Sequence, residues 1–335
     1  MKIKFLALLG ISVLTACGLD ETLRDSPDST QSPDDTFQPE SNNNDSELLD
    51  TSEPVGTIED TGDSSEPVIL PDFIQAGPYD VSIRGMAGMV TSCDSISYTV
   101  YTPQGIENPT TMVLGHGFAR GADTMTGWAE HFSSWGIEVL LPTLCHYNVF
   151  TGVDHEMNGQ NMKELAMIHG AVKVIYAGHS AGGLAAIIGA SGDPSAIGVI
   201  GLDATDTAGV PGVPDLIGQE YAGSIAVPAY SIQGEPSTCN AENNGLDLFK
   251  MMNDYKAANV TSADHCDFES PTDFICEISC ENETPNFSDS EIKDAIIMLA
   301  TAGVVSLTGN EDALNVWTTE SISVWAPDGL VEILD

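Results

Sequence analysis

Positive charge is scarce in this chain. Its 335 residues hold 10 Lys and Arg against 50 Asp and Glu, a formal net charge of −40. A nucleic-acid binder needs a basic footprint to displace counterions from phosphates, so that class of partner is excluded. Long apolar runs are missing too. The most apolar stretch, FLALLGISVL at residues 5–14, is too short to span a bilayer comfortably. Metal-ligand spacing is equally thin: no H-E-x-x-H occurs, and Cys276 with Cys280 has no second pair to complete a zinc site. His146, His155 and Asp154 lack helical ligand spacing and are set aside, so neither a metal nor an organic cofactor is expected. Residues 18–70 lack basic and aromatic side chains almost entirely, with 15 Asp or Glu against the single Arg24. Such a stretch cannot bury enough apolar surface to offset its chain entropy and reads as a solvated acidic tether.

What is present begins with an export signal. Lys2 and Lys4 precede the apolar run, and small residues lead to Cys17. LTAC before Gly18 resembles a bacterial lipoprotein box, which implies lipidation at Cys17; an ordinary secretory signal is the alternative. The expected division is therefore a signal over residues 1–17, the tether over 18–70 and one folded domain over 71–335. Any membrane attachment is expected through the lipid alone, either as a cell-envelope lipoprotein or as a secreted protein, and the chain is expected to be a monomer. Six further cysteines, an even number in an exported chain, suggest disulfides. Cys239 with Cys266 is the pairing expected, tying the loop after a late strand to the residue beside His265.

Within residues 71–335, two alternating segments at 79–90 and 95–103 suit an antiparallel edge pair. Short apolar strands follow at 111–115, 137–142, 172–179, 196–202 and 226–234, separated by helical patterns at 123–135, 160–168 and 184–190. A helix is expected at 246–255, a short strand at 259–263 and a closing helix at 288–304. Strands alternating with helices give an α/β domain, a mostly parallel sheet with helices on both faces. Working groups then gather at the carboxyl ends of the strands.

The central motif is VKVIYAGHSAGG, residues 172–183. A strand, a turn spelled G-x-S-x-G from Gly178 to Gly182 and a helix-like run make a nucleophile elbow with Ser180 at its tip. A serine hydroxyl needs a base, and the base needs an orienting acid. Of the seven histidines only His265 follows Ser180, so the chain order serine, acid, histidine selects it. Asp203, at the end of the strand AIGVIGL, is the first candidate for the acid, with Glu235 next and Asp206 third. Oxyanion donors are expected from the N–H of Ala181, which follows the nucleophile, and of Phe118 in the turn after TMVLG. Phe118, Ala119, the loop 145–155 and the loop after Asp203 are candidate pocket walls; Trp128, Tyr147 and Phe150 are read as packing. His179 is read as a spacer.

LGHGF, WAEHFSSWGIEVLLP, GHSAGG, GLDATD and ADHCD together resemble the α/β-hydrolase superfamily. The likeness is to the branch of dienelactone-hydrolase-like proteins, polyester (PET) hydrolases, chlorophyllases and platelet-activating-factor acetylhydrolases. The resemblance implies an α/β-hydrolase fold and a serine carboxylesterase. In the chlorophyllase and acetylhydrolase relatives the acid follows the strand after the elbow helix, which implies Asp203. In the PET hydrolases it follows the next strand, where this chain offers only Glu235, a departure that weakens a polyester reading. The PET hydrolases also tie acid loop to histidine loop by a disulfide, which implies the same Cys239–Cys266 pairing. An amidase or lactonase would use the same parts, and a non-catalytic surface lipoprotein is the reading from another class.

Overall fold

A computed structural model describes residues 70–148, 152–207, 216–280 and 286–334. Cys17, Phe150 and nearly all of the signal and tether lie outside the described residues.

Among the described residues the strands are β1 (Val81–Val90), β2 (Cys93–Pro103), β3 (Thr111–Gly115), β4 (Glu138–Pro142), β5 (Tyr147–Asn148), β6 (Gly152–Val153), β7 (Val174–His179), β8 (Ala196–Leu202), β9 (Ala229–Gln233), β10 (Tyr255–Val260) and β11 (Val331–Leu334). The helices are α1 (Thr126–Ser134), α2 (His155–His169), α3 (Ala181–Ala190), α4 (Gln219–Ala222), α5 (Gly245–Lys250), α6 (Phe274–Cys280), α7 (Asp289–Leu307) and α8 (Thr319–Trp325). Nine strands form one sheet in the order β1-β2-β4-β3-β7-β8-β9-β10-β11, and β5 with β6 makes a small separate ribbon. The pairs from β4 through β10 are parallel, while β1, β2 and β11 join antiparallel at the two edges. The result is a mixed α/β domain with a mostly parallel sheet.

Alternating side chains along each central strand feed two cores. Met112, Leu114, Ile175, Ala177, Ile200 and Leu202 join one with Phe132 of α1 and Ile296 and Leu299 of α7. Val113, Leu140, Val174, Tyr176 and Val199 join the other with Leu165 of α2, Leu184 of α3 and Phe249 of α5. Both faces are covered, so the central strands read as nearly continuous apolar runs. Stacking the strands in parallel brings the ends of β3, β7, β8 and β9 to one rim.

Several expected boundaries move. Helix α2 starts at His155, not 160: Asp154 caps it by accepting from Met157 N at 2.9 Å, and its first turns bury His155, Asn158 and Asn161. Apolar periodicity misses the first turns of this helix, which bury polar side chains. The helix expected over 246–255 ends at Lys250 in α5, and β10 begins at Tyr255, before the expected strand at 259–263. The short elements α4, α6 and α8, and the edge strand β11, had no expectation.

The disulfide expectation is overturned. The pairs are Cys93–Cys145, Cys239–Cys280 and Cys266–Cys276, so Cys239 does not bond Cys266. The reason is α6, which presents Cys276 and Cys280 one turn apart and gives each of the two loop cysteines a closer partner. The Sγ atoms of Cys266, Cys276 and Cys280 lie within 4.8 Å of one another. All three are disulfide-bonded and offer no thiolate to a metal. No helix among the described residues is long and apolar enough to cross a membrane.

Candidate active site

Strand β7 runs straight into the elbow. Ser180 has φ 56° and ψ −126°, a left-handed conformation unusual for a side chain with a Cβ. The glycines make this turn fit: a Cβ on Gly178 would run into the main chain of Gly182, and one on Gly182 into the main chain of Gly115 in β3. Ser180 N donates to Leu202 O at 3.1 Å, and Thr205 N donates to Ser180 O at 3.1 Å, fastening the elbow to the end of β8. Ser180 lines a cavity of about 500 Å³.

His265 opens a short turn after β10. Asp264 caps it, accepting from Cys266 N at 2.7 Å and Asp267 N at 3.2 Å, while Asp267 Oδ2 accepts from Asp264 N at 2.9 Å. This reciprocal cap holds the His265 main chain in one conformation. His265 lines the same cavity as Ser180, and its Nδ1 lies 2.6 Å from Asp203 Oδ2.

Asp203 is wholly buried behind the histidine, with φ 46° at the end of β8. Its carboxylate also accepts from Gly234 N at 3.1 Å and from Asn240 Nδ2 at 3.2 Å, so it is oriented from three sides. The other acid candidates are engaged elsewhere. Glu235 Oε1 accepts from Ser262 N at 3.0 Å. Asp206 accepts from Thr207 N at 2.8 Å and Gly218 N at 3.1 Å, holding its own loop; burial pushes its carboxyl pKa up, against these hydrogen bonds. Of the three acids, Asp203 is the one whose hydrogen bond to His265 is seen.

The turn after β3 forms the facing wall, with Phe118 and Ala119 lining the cavity beside Ala181. Among the described residues neither Phe118 N nor Ala181 N has an acceptor, and Ala181 begins the ten-residue α3, where free N–H groups and the helix dipole favour negative charge. His116 anchors this turn, a role the sequence reading did not give it. Leu144 N donates to its Nε2 at 3.0 Å, so Nδ1 carries the proton and donates to Gly117 O at 3.0 Å. Both bonds need a neutral ring, and burial lowers its pKa to about 4. Ala119 N donates to Tyr147 O at 2.7 Å, which ties the turn to β5.

Other residues were not singled out by sequence. Asn240 bridges Asp203 and the Glu235 carbonyl (2.9 Å), and nothing in its sequence context marks it. Arg120 Nε and Nη2 each lie 2.6 Å from the fully buried carboxylate of Glu269, and Nη2 is 3.0 Å from Asp273. The hydrogen bonds to Glu269 raise the Arg120 pKa above its ordinary value, and burial raises that of Glu269 while Arg120 opposes the rise. Trp128 sits in the core and donates to Phe268 O at 2.9 Å, away from the cavity. His146 bonds Ser92, His155 lines the cavity and Asp154 caps α2, so the three do not converge as metal ligands.

No protein-family model matches the chain, and no curated protein matches it.

Proposed function

We propose that the chain is a serine hydrolase of the α/β-hydrolase type that cleaves carboxylic esters through an acyl-enzyme. The observation that carries the proposal is the convergence, on one cavity, of a serine held on a strained elbow and a histidine hydrogen-bonded to a buried aspartate. In this reading Ser180 Oγ attacks the ester carbonyl as His265 Nε2 takes its proton. Asp203 fixes the tautomer through Nδ1–H and stays ionised, balancing the imidazolium. Phe118 and Ala181 N–H groups receive the oxyanion. Collapse of the tetrahedral intermediate expels the alcohol, which takes its proton from His265. Water repeats the sequence in reverse and frees the acid.

The cavity walls favour an ester of modest size. Phe118, Ala119 and Ala241 are apolar, and Thr205, Thr207 and Thr238 add small polar groups. An amide or lactone would pass through the same steps. The three disulfides accord with an exported chain in an oxidising compartment, as the signal at residues 1–17 implies. The deciding experiment is labelling of the folded protein with a fluorophosphonate, together with hydrolysis of aryl esters of rising acyl length. Labelling that is lost in Ser180→Ala supports the proposal; no labelling, or labelling unchanged in that variant, leaves the non-catalytic lipoprotein reading.

A further inference from the structure

His179 stands inside the elbow but outside the triad. Its ring is buried, and Nε2 lies 2.9 Å from the main-chain carbonyl oxygen of His265, with the two imidazole centroids 4.5 Å apart. A carbonyl oxygen only accepts, so Nε2 carries the proton. Nδ1 is buried without a hydrogen-bond partner among the described residues. The carboxylate facing it, Glu269 Oε1, is 3.9 Å away, beyond hydrogen-bond reach, and both oxygens of that carboxylate are held by Arg120. Burial first, and the nearby His265 second, push the His179 pKa well below its ordinary value. The ring is therefore neutral, with a fixed tautomer.

Leaving Nδ1 unsatisfied in the interior costs stability. What the ring gains is at its other edge, the main chain of His265, a residue 86 positions further along the chain. We propose that His179 is a positioning residue: its side-chain Nε2–H ties the main chain of the base to the elbow, from the residue next to Ser180. The proposal rests on the serine-hydrolase reading above. Asp203 and His179 restrain different atoms. The aspartate orients the imidazole about its own bonds, whereas His179 fixes the main chain from which the imidazole projects. The Arg120–Glu269 pair adds a parallel tie between the oxyanion turn and the same loop. Neutrality suits the role, because a second positive charge beside His265 would oppose the imidazolium that forms during turnover.

Two substitutions separate the hydrogen bond from the packing of the ring. His179→Gln keeps an N–H donor at similar reach; His179→Met fills the volume with no donor. With p-nitrophenyl acetate, His179→Met is expected to lower kcat about tenfold or more with KM nearly unchanged, since a small misplacement of a catalytic group has effects of that order. His179→Gln is expected to stay within about threefold of wild type. Equal losses in both variants, or wild-type kcat in His179→Met, overturn the proposal. A second readout does not depend on turnover. NMR of protein carrying 15N-labelled histidine should show His179 as the Nε2–H tautomer, and a downfield His265 Nδ1–H signal that persists in His179→Gln and broadens or vanishes in His179→Met. A Nδ1–H tautomer for His179, or a His265 signal unchanged in His179→Met, overturns the proposal. If wild type hydrolyses no ester yet gives the expected NMR pattern, the hydrolase reading falls and the tie between the two loops stands.

Discussion

Asp203 and Glu235 both follow sheet strands, yet they stand in different electrostatic situations. Asp203 is wholly buried and takes hydrogen bonds from His265, Gly234 N and Asn240, whereas Glu235 serves the main chain of Ser262. Asp203→Asn should therefore lower kcat on the order of 10³–10⁴-fold, the effect of losing the orienting carboxylate of a triad. Glu235→Gln should leave ester hydrolysis near wild type in the same assay. His116 supplies a pH dependence. Its pKa is about 4 in the fold against 6.5 for an unperturbed histidine, so below pH 6.5 the unfolded chain binds a proton that the folded chain refuses. Its stabilising contribution is whole above pH 6.5 and is lost as the pH falls toward 4. Urea unfolding should show wild type more stable than His116→Gln at neutral pH, with the gap narrowing over that window.

At the scale of elements, the histidine turn and α6 form a unit. Cys266 adjoins His265 and bonds Cys276, while Cys280 at the other end of α6 bonds Cys239 in the loop that also carries Asn240. The two bridges hold the His265 turn and the Asn240 loop against one short helix. Cys93–Cys145 joins the start of β2 to the loop after β4, away from His265. Replacing Cys93 and Cys145 by Ala should cost about 2–4 kcal/mol of stability by denaturant titration, with kcat retained at a temperature where the variant is folded. The Cys266→Ala, Cys276→Ala double variant should lose kcat under the same conditions, because the turn that carries His265 loses its anchor.

For the molecule as a whole, charge is the dominant fact. Residues 71–335 hold 35 acidic and 7 basic side chains, so the folded domain repels itself at low ionic strength. Raising NaCl from about 10 mM to about 150 mM shortens the Debye length from about 30 Å to about 8 Å. The melting temperature should rise accordingly, and a fall or no change would contradict a repulsion-limited fold.

Chain order and local pattern were sufficient to read the mostly parallel sheet and the strand, tight turn and helix around Ser180, because apolar periodicity, glycine spacing and the succession of elements are written residue by residue. Polar interiors were not legible in that way. The first turns of α2 hid behind buried His155 and Asn158, and Asn240, His116 and His179 carry no local mark of the partners they meet. Which of Asp203, Glu235 and Asp206 meets His265, and the pairing of Cys239 with Cys280 instead of Cys266, depend on which side chains come within about 3 Å for a hydrogen bond or about 2 Å for a disulfide. Such approaches join residues tens of positions apart, and only the packed tertiary structure decides them.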